Sequence, residues 1–313
     1  MSPTATITRD CPLCGASGAA ASPFWQKADL RVVRCPDCGL LFVNPAPAAM
    51  AEGAFYDSDA AAYYLSPAKL ESDYAGVRFE RELRLFRRYC QRGAVLDVGC
   101  STGAFLFQLQ QRWPGQYTVL GTDVSGPALD YAASRGVPVA RGAFLELDFG
   151  GRRFDAITFW AVLEHLAEPR RFLERARALL AAGGWCFALV PNRRSLALRC
   201  LGARSRTVYP QHLNYFDADA LRELGRRAGL EPRATHFTHF NPLAHWQDWR
   251  RGGRPVPEPE RAALLQRTTA WKQNPRLQPV GWLYRCVETL LAAASLADNV
   301  TIVFQKTRSD SGP

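Results

Sequence analysis

The sequence lacks a long hydrophobic run. Its longest apolar stretch, residues 287–297, is interrupted by Glu288 and is too short to cross a bilayer. Residues 1–10 also lack the apolar segment that marks a secretion signal. We therefore expect no transmembrane segment and a cytoplasmic location.

Lysine is rare, so the net charge of +10 comes almost wholly from arginine. The arginines are scattered over the predicted helices, and no five consecutive residues are basic. The sequence therefore has no clustered basic stripe with interleaved aromatic side chains, which is typical of nucleic-acid-binding surfaces. We therefore interpret the excess of basic residues as a surface made soluble by arginine. The alternative interpretation is RNA binding.

The cysteines are arranged for metal binding rather than for disulfides. Four of the nine form two C-x-x-C pairs, Cys11 with Cys14 and Cys35 with Cys38, and a glycine follows each pair. Glycine allows the positive φ angle that such tight turns need. Four thiolates suit a tetrahedral zinc ion and leave no open coordination position, which predicts a structural zinc in a reducing compartment. A module this small needs the metal to fold.

Strands and helices alternate through the middle of the chain, which predicts an α/β fold: a Rossmann-like, doubly wound, mainly parallel sheet. The predicted strands are residues 94–98, 117–121, 137–140, 154–159, 185–190, 231–237 and 300–305. We divide the chain into a zinc ribbon (1–45), a linker and lid segment (46–75) and the α/β domain (76–313). Residues 238–298 break the rhythm and are predicted to be a helical insertion, with a loop at 250–260 and helices near 259–271 and 280–297.

Residues 95–103, Val-Leu-Asp-Val-Gly-Cys-Ser-Thr-Gly, carry the strongest functional signal. They predict a strand, a tight turn and the start of a helix, an arrangement that binds nucleotide-like ligands. A dinucleotide site needs G-x-G-x-x-G to approach a pyrophosphate, whereas here the glycines are Gly99 and Gly103. Asp97 would repel a phosphate but suits a cation. S-adenosylmethionine (SAM) has no phosphate and carries a sulfonium and an ammonium, so the turn favours SAM.

Five segments, in order, resemble motifs of the class I SAM-dependent methyltransferases; they are residues 97–103, 121–125, 154–165, 179–192 and 211–216. Ser101 stands where many members have glycine. The last segment, Gln-His-Leu-Asn-Tyr-Phe, is similar to the branch that includes ubiquinone-pathway O-methyltransferases. Many bacterial relatives of that branch carry the same zinc ribbon and act on small molecules, sugars or polyketides. The resemblance covers nearly the whole chain.

The resemblance implies that the first turn holds the methionine part of SAM. The residues concerned are Asp97, Gly99, Cys100, Ser101 and Gly103. Glycine removes the Cβ that would block close approach, and Asp97 can pair with the ammonium directly or through water. The alternative is that Asp97 only caps the next turn.

Asp123, followed by Val124, ends the second strand, where a carboxylate can accept the ribose hydroxyls of SAM. The alternative role is an N-cap for the next helix, which Ser125 could also supply. Ala143 and Phe144 follow the third strand, where the family contacts adenine, although Phe144 could be a core residue.

Three aromatic side chains complete the predicted SAM site. Trp160 ends the fourth strand, where it lines the pocket or packs under a helix. Tyr63 and Tyr64 lie where relatives fold a segment over SAM, and aromatic faces attract a sulfonium. The alternative for this tyrosine pair is a solvent-facing helix turn.

Methyl transfer to a hydroxyl or carbon acid requires alignment and the removal of a proton, a role that suits histidine. His212 is the first candidate base because it follows the fifth strand, and His165 is the second. The spacing of His236, His239 and His245 would allow a metal site, but no partnering carboxylate or cysteine cluster is evident, so they are candidates for the acceptor pocket.

The sequence therefore predicts a methyltransferase that moves the SAM methyl group to a hydroxyl or carbon of a small molecule, glycan or polyketide-type metabolite. An RNA methyltransferase is the alternative, because a cysteine–zinc module and an arginine excess would also fit RNA. A non-catalytic scaffold would not need Asp97 and Asp123. The insertion is a candidate lid or homodimer surface.

Overall fold

A computed structural model describes residues 5–51, 64–254, 256–257, 260, 263–264, 266–268 and 278–307. Among these residues, no helix has both the length and the apolar character needed to cross a membrane. They form a small antiparallel module at the N-terminus and a large α/β sheet that follows it.

The N-terminal module contains two matching turns that carry the cysteine pairs. Cys11 N–H donates to the Ala16 carbonyl and Cys35 N–H donates to the Leu40 carbonyl, each at 2.9 Å. The glycine of each turn has a positive φ of 79° or 71°, as the spacing predicted. The module's elements are β1 (Thr6–Ile7), β2 (Ser22–Lys27), β3 (Leu30–Arg34), β4 (Leu41–Val43), β5 (Ala46–Pro47) and α1 (Ala48–Ala51).

The rest of the described chain follows the predicted alternation. Its elements are α2 (Pro67–Tyr74), α3 (Glu80–Tyr89), β6 (Gly93–Val98), α4 (Ala104–Arg112), β7 (Tyr117–Asp123), α5 (Gly126–Ser134), β8 (Val139–Arg141), β9 (Phe154–Trp160), α6 (Pro169–Leu179), β10 (Leu180–Pro191), α7 (Leu196–Leu201), β11 (Asn214–Tyr215), α8 (Ala218–Arg227), β12 (Glu231–Thr238), α9 (Pro242–Arg251), α10 (Gln278–Ala293) and β13 (Asn299–Gln305).

A seven-stranded sheet has the order β12-β13-β10-β9-β6-β7-β8. The pairings from β10 through to β8 are all parallel, and β13 is antiparallel to both of its neighbours. The predicted doubly wound, mainly parallel sheet is therefore confirmed. The chain runs outward from β6 to β8 and then returns to β9 on the other side of β6. This reversal makes the carboxyl ends of β6 and β9 a topological switch point, where ligands bind in open α/β sheets.

Both faces of the sheet are covered, so its central strands are mostly apolar and buried. Ala156 of β9 packs in a cluster with Phe86 of α3 and Phe105 of α4. The next residue, Ile157, points the other way into a cluster with residues of α6 and α8, including Leu221.

The short strand β11 belongs to the ribbon's sheet and not to the large one. Asn214 pairs with Phe42 and Tyr215 pairs with Leu41, both antiparallel, which extends the sheet to β11-β4-β3-β2. Phe42 also lies in the same apolar cluster as Ile157 of the large sheet. The ribbon thus shares both a sheet and a core with the α/β domain, and the boundary at residue 45 remains a prediction.

The insertion between β12 and β13 contains a helix that the sequence analysis did not predict. This helix, α9, extends into the predicted loop at 250–260. Asn241 caps it by accepting from Ala244 N–H at 3.1 Å, Pro242 occupies its first turn, and Gly252 ends it with a φ of 59°. The helix expected near 280–297 corresponds to α10, while much of the one expected near 259–271 lies outside the described residues.

Candidate SAM and metal sites

A cavity of about 310 Å³ opens at the carboxyl ends of β6, β7 and β9, beside the switch point. Its volume is within the range of small-ligand pockets. Eight residues that the sequence predicted for SAM binding or catalysis line it: Tyr64, Gly99, Ser101, Asp123, Val124, Ala143, Phe144 and His165. Tyr63, the other predicted tyrosine, lies outside the described residues.

The turn after β6 needs its first glycine. Gly99 has a φ of 71°, and a Cβ there would lie 2.6 Å from a methyl carbon of Val162. Its N–H donates to the Thr122 carbonyl at 2.7 Å, which ties the turn to β7. Ser101 also has a positive φ of 50°, a conformation that few residues other than glycine adopt. The backbone is therefore held in a strained, close turn at the cavity wall.

Three hydroxyl groups at the cavity are buried and have no hydrogen-bond partner among the described residues. They belong to Ser101, Thr122 and Ser125. Leaving such a group unpaired costs about 1–3 kcal/mol, so a polar ligand that bonded to these groups would stabilise the site. The donor set fits a ligand rich in hydroxyl, amino and carboxylate groups, as SAM is.

Asp123 is held at the cavity wall by the backbone. The N–H groups of Ser101 and Ser125 donate to its two carboxylate oxygens at 2.8 and 2.9 Å. Burial raises the pKa of Asp123, and these hydrogen bonds oppose that rise. Each carboxylate oxygen has a further lone pair that can accept from a ligand hydroxyl.

Asp97 lies behind the turn, outside the described lining of the cavity. Only 3% of it is exposed, and its Oδ1 accepts from the Thr158 hydroxyl at 2.6 Å. Burial raises the pKa of Asp97 to about 7, and the nearby Asp123 adds to this rise. Its carboxyl group is thus poised between its neutral and charged forms near neutral pH.

Cys100, Gly103 and Trp160 are also absent from the described lining. The Cys100 sulfur packs against Gly121, where a Cβ would approach within 2.6 Å. Gly103 starts α4 with a φ of 75°. Trp160 packs against Phe105, with ring centroids 5.1 Å apart, and its indole N–H is buried without a described partner. These positions support the turn and the pocket from behind.

The two candidate bases are neighbours, but only His165 reaches the described lining. Their ring centroids are 4.7 Å apart. His165 Nδ1 lies 2.8 Å from the Gln211 carbonyl, which assigns the proton to Nδ1 and the lone pair to Nε2. Burial lowers the pKa of His165 to about 4, so the ring is neutral at pH 7. His212 lies deeper, with Nδ1 2.9 Å from the Thr207 carbonyl.

The remaining histidines do not form one group among the described residues. His236 Nε2 lies 3.3 Å from the Tyr89 hydroxyl. Two of these histidines each have one carboxylate nearby, and none of the three belongs to a candidate metal group among the described residues. His239 lies 3.5 Å from a Glu82 oxygen, and His245 lies 2.9 Å from an Asp298 oxygen. The sequence hides these pairs because the partners lie far apart along the chain.

The four cysteines of the ribbon converge with the geometry of a tetrahedral metal site. Cys11 and Cys38 have their sulfurs 3.5 Å apart, as do Cys14 and Cys35, and all four sulfurs lie within 4.8 Å of one another. A zinc ion with Zn–S bonds of about 2.3 Å requires sulfurs about 3.8 Å apart. Burial raises the pKa of Cys11 to about 11, so a bound cation would stabilise the thiolate form. The cluster fits zinc.

Sequence reasoning missed part of the lining. The segment just after β9 also lines the cavity, through Ala161, Val162 and residues 166–168, together with Phe172 of α6. The signal that could have found the segment is its position after a strand end at the switch point. No sequence pattern marks Phe172.

Comparison with known proteins assigns the family. A profile described as a methyltransferase domain matches residues 74–235, slightly more than half of the chain. The chain belongs to this methyltransferase family. The methyltransferase is 30% identical over 205 residues to a ubiquinone biosynthesis O-methyltransferase of Cereibacter sphaeroides, covering 58% of the chain and 78% of the relative. A Ruegeria pomeroyi protein of the same name is 31% identical over 209 residues, covering 59% and 79%.

Solved structures share the fold of the methyltransferase. A Burkholderia thailandensis 1,6-didemethyltoxoflavin-N1-methyltransferase, with bound S-adenosylhomocysteine (SAH), has a TM-score of 0.50 at 17% identity, covering 92% of this chain and all of that one. A chain from a Haloferax volcanii complex of a methyltransferase with its Trm112 activator has a TM-score of 0.52 at 14% identity, covering 80% and 98%. The family and SAM-dependent enzyme class predicted from the motifs are confirmed.

Proposed function

We propose that this enzyme transfers the methyl group of SAM to a hydroxyl group of a small molecule. The observation that carries the proposal is the cavity at the switch point, where Asp123 and three unpartnered hydroxyl groups meet a glycine-dependent turn. The names of the relatives, ubiquinone biosynthesis O-methyltransferases, support oxygen as the acceptor atom.

The cavity wall suggests how SAM would be held. Asp123 would accept the ribose hydroxyls, and Val124 would pack beside the ribose. Ala143 and Phe144, on the wall formed after β8, would contact the adenine. Tyr64 also lines the cavity, where an aromatic ring can face the sulfonium.

The methionine end of SAM would lie over the turn after β6. The backbone of Gly99 and the hydroxyl of Ser101 border the cavity there, with Asp97 behind them. Because Asp97 is 3% exposed, its charge would act on the ammonium through the turn or through a water molecule.

SAM supplies an already activated methyl group, so the enzyme's main task is alignment of the acceptor oxygen with it. The acceptor hydroxyl must also lose its proton. His165 is a candidate for this role because it lines the cavity and its Nε2, which lies 3.8 Å from a Glu164 oxygen, carries the lone pair. His212 packs against the His165 ring and would steady it, so the geometry favours His165 over His212 as the base.

The ribbon would hold zinc in a structural role, because four cysteine ligands leave no position for substrate. None of the nine cysteines is paired in a disulfide, which supports a reducing compartment such as the cytoplasm for the enzyme.

The test is methyl transfer from isotopically labelled SAM to phenols, catechols and sugars, with RNA as a further acceptor. We expect labelled ethers from a hydroxylated small molecule at a rate that salt changes little. Asp123→Ala should weaken SAH binding at least tenfold, about 1.4 kcal/mol, since the ribose loses its acceptor. Asp130→Ala is the matched control, because that carboxylate is exposed on α5 and pairs with Arg141.

Two results would contradict the proposal. One is labelling of RNA alone, with binding that weakens steeply as salt rises. The other is unchanged SAH affinity in Asp123→Ala, which would remove this residue from the ribose site.

A further inference from the structure

Arg9 is a buried residue whose backbone belongs to the ribbon. It stands two positions before Cys11, and only 8% of it is exposed. Its N–H donates to the Asn44 side chain at 3.0 Å, and the Asn44 amide in turn donates to the Gly18 carbonyl. A Cβ on Gly18 would lie 1.9 Å from the Arg9 carbonyl oxygen. The ribbon therefore fixes the position of the Arg9 backbone closely.

Among the described residues, the hydrogen bonds of the Arg9 guanidinium go to groups of the α/β domain, and the guanidinium also lies over the ring of Phe42 in the ribbon, 6.0 Å from its centroid. It donates to the Ala167 carbonyl at 2.8 Å, the Asn214 side-chain oxygen at 3.0 Å and the Leu213 carbonyl at 3.3 Å. The guanidinium of an arginine keeps its charge at neutral pH. Hydrogen bonds from a charged donor are stronger than neutral ones, and breaking them leaves buried carbonyls unpaired.

The residues that Arg9 holds in turn hold the segment 163–168. Asn214 donates from its amide to the carbonyls of Leu163 and Leu166, at 3.2 and 2.8 Å. Leu213 N–H donates to the Glu164 carbonyl at 2.8 Å. Arg9 also donates to the Ala167 carbonyl. Four of the five backbone carbonyls from 163 to 167 therefore accept a hydrogen bond from Arg9, Leu213 or Asn214.

This segment is also a wall of the SAM cavity. Residues 165–168 all line it, and His165 is among them. A chain of hydrogen bonds therefore runs from Arg9, two residues before Cys11, through residues 213–214 to the wall of the cavity. The buried charge of Arg9 thus adds to the pairing of β4 with β11, in which Val43 N–H donates to the same Leu213 carbonyl at 2.9 Å.

We propose that Arg9 is a positioning residue through which the metal-loaded ribbon sets the conformation of segment 163–168 for SAM binding. The inference rests on the proposed function for the location of the SAM site. Without Arg9, segment 163–168 would populate other conformations. The apparent affinity for SAM would then fall in proportion to the fraction of molecules that keep the binding-competent conformation.

The first test compares SAH dissociation constants, by titration calorimetry, with the zinc content of the same samples. Arg9→Met should keep zinc and weaken SAH binding about tenfold, equivalent to about 1.4 kcal/mol. Arg9→Lys should give an intermediate value, since it keeps the charge and can reach one acceptor. Arg31→Met is the matched control, because Arg31 is an exposed residue of the same module. Wild-type affinity in zinc-loaded Arg9→Met, or an equal loss in Arg31→Met, would overturn the inference.

The second test needs no variant, so it holds even if Arg9→Met does not fold. Hydrogen–deuterium exchange is measured on the wild type with and without its metal. Peptides covering 163–168 and 213–215 should lose protection on metal removal, while those covering β8 should not change. Unchanged protection of 163–168, or loss throughout the large sheet, would overturn the proposal. Failure of the wild type to bind SAH would instead contradict the proposed function, and the exchange result would still decide the coupling.

Discussion

Asp97→Asn is expected to stabilise the free enzyme at pH 8. In the folded chain, burial raises the pKa of Asp97 from 3.8 to about 7. At pH values between these two pKa values, the folded state keeps a proton on Asp97 that the unfolded state has lost. The free energy of unfolding therefore falls as the pH rises through this range. Above pH 7 the folded protein bears the full cost of burying the ionised Asp97 carboxylate. At about 1.36 kcal/mol per pH unit between the two pKa values, this cost lowers the free energy of unfolding by about 4 kcal/mol. Asparagine carries no charge and can still accept from Thr158.

The same substitution is expected to weaken SAH binding, because the ammonium of SAH favours the ionised carboxylate. With a pKa of about 7, half of the free molecules carry the proton at pH 7, so binding should release about half a proton. Between pH 8 and pH 6 the ionised fraction falls from about 0.9 to about 0.1, and SAH affinity should fall about tenfold. In Asp97→Asn, both the proton release and this pH dependence should disappear.

Two measurements check this reasoning. Chemical denaturation of the free protein at pH 4 and pH 8 gives the stability difference, with exposed Asp130→Asn as the control. Calorimetric titration with SAH in two buffers of different ionisation enthalpy counts the protons released. Glu164 is another buried carboxyl near the cavity, and burial raises its pKa to about 8. Proton release that persists in Asp97→Asn would belong to a group such as Glu164 and would refute the assignment.

Three further outcomes are expected. Gly99→Ala should fold but lose SAH affinity, because its Cβ would meet Val162 and the positive φ costs about 1–2 kcal/mol; wild-type affinity by calorimetry would contradict this. His165→Gln should lower kcat about 100-fold with little change in the KM for SAM, and His212→Gln should lower it less; the opposite ranking in steady-state assays would restore His212 as the base. Chelation should open the ribbon to proteolysis while the large sheet keeps its circular dichroism, and a ribbon that resists the protease without metal would argue against a structural zinc.

The centre of the sheet could be predicted from the sequence because strands such as β6, β9 and β10 are mostly buried and stand out as largely apolar runs. Loops at the carboxyl ends of parallel strands meet at one edge, so Gly99, Asp123 and Ala143 could be placed around one cavity in advance. Which side chains of a turn face the cavity is harder to predict from the sequence. Asp97 precedes the strand end by one residue, and side chains alternate, so it lies behind the turn while Asp123 lies at the cavity.

The contacts of Arg9 could not be read from the sequence. Its acceptors are backbone carbonyls and one amide, more than 150 residues away along the chain. Backbone groups are the same at every residue, so no composition or periodicity marks them. The two-residue strand β11 is likewise too short to show an apolar alternation.

The pairing of β4 with β11 has a consequence for the order in which the chain is made. Leu41–Val43 is synthesised early, but the strand that closes its free edge follows some 170 residues later. A nascent or truncated chain that stops before Asn214 exposes that edge, and open edges invite association between molecules. A fragment trimmed to the profile-matched residues 74–235 would leave β11 without its neighbour and, because it lacks β13, would also expose the edge of β10. Expression of the catalytic part alone should therefore yield aggregating material.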